Sequence, residues 1–293
     1  MITTILNKTL PQKTAMMVVL VSSSIWGLLW IPLRHIEDQG LEGIWANTYF
    51  AAVAIPFLYF ISRPHLNNRH HWPVFLGAGI FIGLGFVFYT LGLIVGSVTK
   101  TTLLFYLLPI WASILGIMFL GERIKPILWA SNAIGLIGCG LILGITDQTV
   151  HFEMVDLLGL LSGICWAIGS VIVSRNPDAH YTAVNFVVYI MVVIIGVTGA
   201  AIMHTPIPTL PSVIAATPVA VIVSAFVFVP AMLFIVRVQQ YVSPSIVGIL
   251  MLSEVFFAVI SADWMLGETM DAIQWIGAIL IVSAAVIVTR TQR

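Results

Sequence analysis

Residues 72–122 read WPVFLGAGIFIGLGFVFYTLGLIVGSVTKTTLLFYLLPIWASILGIMFLGE, and only Lys100 carries a charge before Glu122. A helix crosses the roughly 30 Å of membrane hydrocarbon with about 20 apolar residues, so this stretch is too long for one crossing. Gly96-Ser97-Val98-Thr99-Lys100 is the natural turn between two. A β-barrel is excluded because outer-membrane strands alternate apolar and polar residues, whereas segments such as 219–229 are apolar on every face. Only helices satisfy their own backbone hydrogen bonds in lipid.

Working outward in both directions, charges and Pro/Gly/Asn clusters divide the chain into ten predicted helices. They cover 15–36, 43–62, 72–96, 99–120, 126–146, 154–174, 181–203, 210–237, 243–265 and 272–290. The whole chain fits this reading: 293 residues, 60% hydrophobic, 8% charged, mean hydropathy +1.07. A soluble domain is about 25% charged; here lipid must be the solvent over most of the surface. The fold class is an all-α integral membrane protein, and the loops are too short to hold a soluble domain. A formal net charge of zero leaves no basic footprint for nucleic acid. Cys139 and Cys165 lie within apolar runs and read as small packing residues. No small-residue cleavage site follows a short apolar core, so 15–36 reads as a retained helix.

With the N-terminus inside, the inner segments hold Lys8, Lys13, Arg63, Arg69, Arg123, Lys125, Arg175, Arg237, Arg290 and Arg293, and the outer segments hold only Arg34 and Lys100. The positive-inside rule therefore places both termini in the cytoplasm. Acidic residues, among them Glu37, Glu42, Glu153, Asp156 and Asp271, collect outside.

The chain also repeats itself. Leu120-Gly121-Glu122 recurs 146 residues later as Leu266-Gly267-Glu268, and Trp129 recurs at the same offset as Trp275. Ile25-Trp26-Gly27 is echoed more weakly by Cys165-Trp166-Ala167. Two repeats, 1–146 and 147–293, each hold five predicted helices, and an odd number turns the second upside down. Inverted repeats around a midplane site are common among secondary transporters.

These residues carry a family resemblance. Leu108-Pro109, Leu120-Gly121-Glu122 and Trp129, with Ser253-Glu254-Val255, Leu266-Gly267-Glu268 and Trp275-Ile276-Gly277, resemble the drug/metabolite transporter superfamily over nearly the whole chain. The pattern is similar to ten-helix exporters built from two EamA repeats. The Tyr-Leu-Leu-Pro stretch ending at Pro109 and the Trp at 166 are most similar to the aromatic-amino-acid exporter branch. Two positions depart from that pattern: Val255 stands where Pro is usual, and Leu108 where an aromatic residue is often found. The resemblance implies a multi-pass protein of a bacterial inner membrane, working as a monomer or homodimer.

Glu254 is the only acid well inside a predicted span. Ionisable groups at that depth usually face a bundle interior or water cavity, so Glu254 either meets a substrate amine, carries a proton, or closes packing between the halves. Trp30, Phe86, Tyr89, Tyr106 and Trp166 lie deep in spans and, with Glu254, form the candidate substrate site. Rings suit a medium apolar or aromatic ligand, although each also reads as core packing. Glu122 and Glu268 sit at helix ends and read as loop ties, and Lys100 as a solvated loop lysine. All seven histidines fall in loops or at helix ends; His65, His70 and His71 read as a polar cytoplasmic loop rather than a metal site. Gly79/Gly83 and Gly140/Gly144 have the spacing of close helix contacts. Pro32, Pro56, Pro109 and Pro230 interrupt spans, for gating or for shape.

No metal site, cofactor motif or P-loop is present in the sequence, so transport would draw on a substrate or ion gradient. The first expectation is an exporter of amino acids, aromatic and medium apolar ones favoured, or of related small metabolites. The alternatives are a transporter of another class, such as drugs or sugars, a membrane-embedded enzyme, or a receptor subunit. An enzyme would need facing polar groups at depth, and only Glu254 with scattered Tyr, Ser and Asn is on offer.

Overall fold

A computed structural model describes residues 11–144, 152–266 and 270–291. Gly267, Glu268 and most of the loop following Gly144 lie outside the described residues. Every regular element among the described residues is helical. The first half holds α1 (Gln12–Trp26), α2 (Trp30–Asp38), α3 (Ile44–Ala52), α4 (Ile55–Leu66), α5 (Trp72–Val95), α6 (Val98–Phe105), α7 (Leu108–Leu120) and α8 (Pro126–Ile142). The second half holds α9 (Asp156–Arg175), α10 (Tyr181–Ile202), α11 (Leu210–Val223), α12 (Val229–Val238), α13 (Pro244–Met251), α14 (Ser253–Leu266) and α15 (Ala272–Thr291).

Eight helical segments among the described residues are long and apolar enough to cross a membrane, and the pair α3 and α4, bent by 45°, makes a ninth if it is one span. The predicted helix at 126–146 is present as α8 but has 17 residues, shorter than a full crossing.

Most of the breaks within spans have a proline close behind them; the break after Met251 does not. Proline lacks an N–H and clashes with the preceding turn, so it is tolerated where a helix restarts. Pro56, Pro109 and Pro230 each sit in the first turn of a restarted helix, α4, α7 and α12. Ahead of Pro230, residues 224–228 widen into a π-helical turn. Pro32 follows the break between α1 and α2. Two breaks, after Phe105 and after Met251, fall at the 146-residue spacing of the Gly-Glu motif.

The packing pairs the helices across the halves. α9 lies along α5 and continues onto α6 and α7, while α1 lies on α12 and continues onto α13 and α14. α8 packs along α15, α7 against α13, and α10 against α3, α4 and α5. Gly79 and Gly83 meet Val187 and Met191 of α10 as their spacing predicts. Of the pair Gly140/Gly144, Gly144 lies beyond the end of α8 with φ +72, and among the described residues a Cβ there would meet nothing within 4 Å. The close crossing lies at Gly138 and Gly277 instead. A Cβ on either would stand 2.6 or 2.5 Å from the other's carbonyl oxygen.

Lys100 is also corrected. It lies in α6, its side chain 22% exposed, and pairs with Asp156 at 3.5 Å and Glu153 at 3.7 Å. These contacts tie the start of α6 to the start of α9. The predicted helix over 99–120 already contained Lys100; what differs is that its side chain is paired and half-buried instead of solvated.

Candidate functional site

Where α1, α5, α6, α9 and α14 converge, the bundle encloses a cavity of about 100 Å³. Trp26 enters from the end of α1, Phe86, Tyr89 and Thr90 from α5, Phe105 from α6, Trp166 from α9 and Glu254 from α14; Asn47 of α3 completes the polar wall. Leu33 of α2, Leu93 near the end of α5 and Met251 at the end of α13 also line it.

Close backbone approaches place these groups. Gly27 ends α1, and a Cβ there would collide with the carbonyl of Glu254, so only glycine lets α1 seat directly on the start of α14. Gly85 similarly abuts the backbone of Ser162 and Trp166, which brings Trp166 beside Phe86. The rings then meet edge to face, the favourable arrangement: Trp26 with Phe86 at 5.5 Å, Phe105 with Trp166 at 6.1 Å, Phe105 with Tyr106 at 5.0 Å.

Glu254 sits in the first turn of α14, just after the break at Leu252. The N-terminus of a helix carries unsatisfied N–H groups and a partial positive charge, which stabilise an anion there. The Tyr106 hydroxyl lies beside the Glu254 carboxylate. Tyr106 is 1% exposed and is not among the side chains that line the cavity. Tyr89 reaches Thr102 at 3.4 Å, and Asn47 donates to Thr90 at 3.3 Å. The indole N–H groups of Trp26 and Trp166 are buried with no acceptor among the described residues.

Of the six residues expected at the site, the structure brings Phe86, Tyr89, Trp166 and Glu254 to one cavity, with Tyr106 beside Glu254 but not in the lining. Trp30 is elsewhere, donating to Ser261 at 3.0 Å. Trp26, Asn47 and Thr90 were missed. For Trp26 a signal existed: it and Trp166 are the two tryptophans of the weak echo, and both line the cavity.

Residues 13–144 and 153–290 each match the EamA-like transporter family. The chain belongs to that family. A curated relative of this EamA-like protein, an S-adenosylmethionine uptake transporter of Rickettsia felis, is 26% identical over 124 residues, 42% of this chain and 41% of the relative. The match thus spans about two fifths of the relative's length. A solved structure, described only as a protein crystal structure, covers 94% of this chain and 96% of its own with a TM-score of 0.73. Its identity is 18%, so the likeness is one of fold.

In this EamA-like chain the end of the bundle away from Leu33 and Leu93 is tied shut by polar contacts. Ser243 donates to Glu122 at 2.8 Å, Gln240 to the Ala179 carbonyl at 2.7 Å, and Ser174 to the Gln239 carbonyl at 2.6 Å. Glu122 reaches Ser243 because Gly121 takes a left-handed φ of +67, which ends α7 and turns the chain back on Gly116. Burial pushes the Glu122 carboxyl up, and the Ser243 hydrogen bond opposes it. Among the described residues no group of three His, Cys, Asp or Glu converges as metal ligands.

His65 and His180 stack face to face at 3.4 Å at this end, and Arg237, 1% exposed, lies 5.6 Å from the Tyr181 ring. Burial, then the His65 and Arg237 charges, hold His180 down at about 4. The unfolded chain protonates this residue near 6.5, so between pH 6.5 and 4 the unfolded state binds more protons and stability falls as pH falls. Thermal unfolding in micelles is expected to shift down across that window in the wild type, and less in His180→Gln. Equal slopes in the two proteins would show that the stack accepts a proton freely.

Proposed function

We propose that the chain is a secondary transporter of amino acids and related small zwitterionic metabolites, and not an enzyme. One observation carries this reading: a single carboxylate, Glu254, stands at a helix break at the end of a cavity walled by rings. A zwitterion leaving water must exchange its hydration for protein groups. Glu254 receives the ammonium, and the rings of Trp26, Phe86, Tyr89 and Trp166 take the side chain, which favours aromatic and medium apolar substrates. The unpartnered indole N–H groups of Trp26 and Trp166 are donors available to the substrate carboxylate once the cavity widens.

Alternating access would interchange two inverted five-helix repeats, 1–146 and 147–293, giving ten crossings. Three findings support that arrangement: two family matches in tandem, helix breaks at one 146-residue spacing, and helix pairings that map onto each other when the halves are exchanged. The cation count favours cytoplasmic termini; a bacterial inner membrane and export as the direction rest on the resemblance alone. In that orientation the tied end is cytoplasmic and the cavity extends outward.

A second reading is uptake of a larger organic cation, favoured by the name of the Rickettsia felis relative and by the affinity of rings for sulfonium or ammonium groups. Counterflow in liposomes separates the two. Vesicles preloaded with phenylalanine are expected to accumulate labelled phenylalanine, and excess S-adenosylmethionine should leave that accumulation intact. Accumulation only with S-adenosylmethionine would support the second reading, and accumulation with neither would reject both.

A further inference from the structure

A second cavity, of about 160 Å³, lies away from the central one, between α7 and α9. Its walls are apolar, formed by Leu115 and Phe119 of α7 with Ile168 and Ile172 of α9, and Arg175 and Asn176 close one end. The volume is close to that of a buried site known to hold benzene, so it suits a length of hydrocarbon. Phe119 is 53% exposed and its neighbour Met118 67%, which places the groove on the surface that faces lipid.

The polar end is cationic. α7 and α9 run parallel here, with their C-termini at the same edge. Arg175 in the last turn of α9 and Arg123 and Lys125 just beyond α7 are all exposed there. Among the described residues Arg175 makes no ion pair. Two acids lie close in sequence: Glu122, which accepts from Ser243, and Asp178, exposed three residues after Arg175. Asn176 donates to the Ile172 carbonyl at 2.8 Å and so caps α9, leaving Arg175 as the donor for an incoming anion. A guanidinium matches phosphate oxygens in pairs.

An occupant must be apolar along most of its length and anionic at one end, at the depth where headgroups begin. We propose that the groove between α7 and α9 binds one anionic phospholipid, an acyl chain lying on Leu115, Phe119 and Ile172 and the phosphate on Arg175. The site joins the two halves, since α7 and α9 come from different repeats. It depends on the chain being membrane-embedded and not on which substrate is carried.

The test uses the full chain in micelles with equimolar phosphatidylglycerol and phosphatidylcholine, bound lipid being read by native mass spectrometry. The wild type should retain one phosphatidylglycerol in about fivefold preference, the effect of one cation near a membrane surface. Arg175→Gln should bring the preference to parity. Ile172→Trp, which fills the groove and keeps the arginine, should lose the bound lipid. Arg63→Gln, which removes an arginine placed over Phe60 on another helix, should change nothing. Equal retention of both lipids by the wild type, unchanged binding in Arg175→Gln or Ile172→Trp, or an equal loss in Arg63→Gln would each overturn the proposal.

Discussion

Glu254→Gln is expected to cut counterflow of a zwitterionic substrate about 100-fold or more at subsaturating concentration. The ammonium of the substrate has no other acid in the cavity to meet. Removing one partner of a buried charge pair costs about 3–5 kcal/mol because the other charge is left buried and alone. Each 1.4 kcal/mol is about tenfold in affinity. The amide keeps the size of the side chain, so the break between α13 and α14 is preserved. Tyr106→Phe, which removes one hydroxyl beside the carboxylate, should cost about tenfold or less. Correct insertion is established first by size-exclusion behaviour and thermal unfolding. Full transport in Glu254→Gln would remove this residue from the substrate site and leave it as packing.

The fold was legible because lipid imposes one demand at a time. Long uncharged runs had to be helices, and each predicted segment is helical among the described residues. Periodicity could not reveal where a helix restarts within a run. The breaks after Phe105 and Val223 have a proline close behind them and the one after Met251 has none, while apolar composition continues through all three. α8 came out shorter than predicted because hydrophobicity continues past Ile142 while the helix does not.

The site was legible to the extent that it relied on rare residues. An acid in mid-span and deep rings are unusual enough to stand out, and four of the six candidates line the cavity. Trp30 lies outside this cavity because depth along a helix says nothing about which face a ring occupies. It lies past the break at Gly27, where the chain has turned toward Ser261. Asn47 and Thr90 were hidden because a polar residue near a predicted span end is ordinary. Lys100 was read as free because its partners, Glu153 and Asp156, are more than fifty residues away. Such long-range pairs become visible only once the helices are placed.

The second large effect is predicted at the crossing of α8 and α15. Gly138 and Gly277 each point their missing Cβ at the other's carbonyl oxygen, with the backbone N–H groups of Ile281 and Ile142 close behind. Helices in lipid gain little from hydrophobicity when they associate, so close backbone contact carries the packing. A side chain at Gly138 meets backbone rather than the flexible end of another side chain, and nothing local can move aside. Gly138→Val should therefore separate the helices and destabilise the protein by roughly 3 kcal/mol or more. Gly77→Ala is the matched control, since its Cβ would meet only Ile172 Cδ1 at an ordinary 3.6 Å. In detergent, Gly138→Val should aggregate on size-exclusion or unfold at clearly lower temperature, while Gly77→Ala behaves as wild type. Because α8 and α15 come from opposite halves, their separation should also abolish counterflow in whatever protein remains folded. Wild-type melting and transport in Gly138→Val would mean that the halves are held together elsewhere, most directly through α7 and α13.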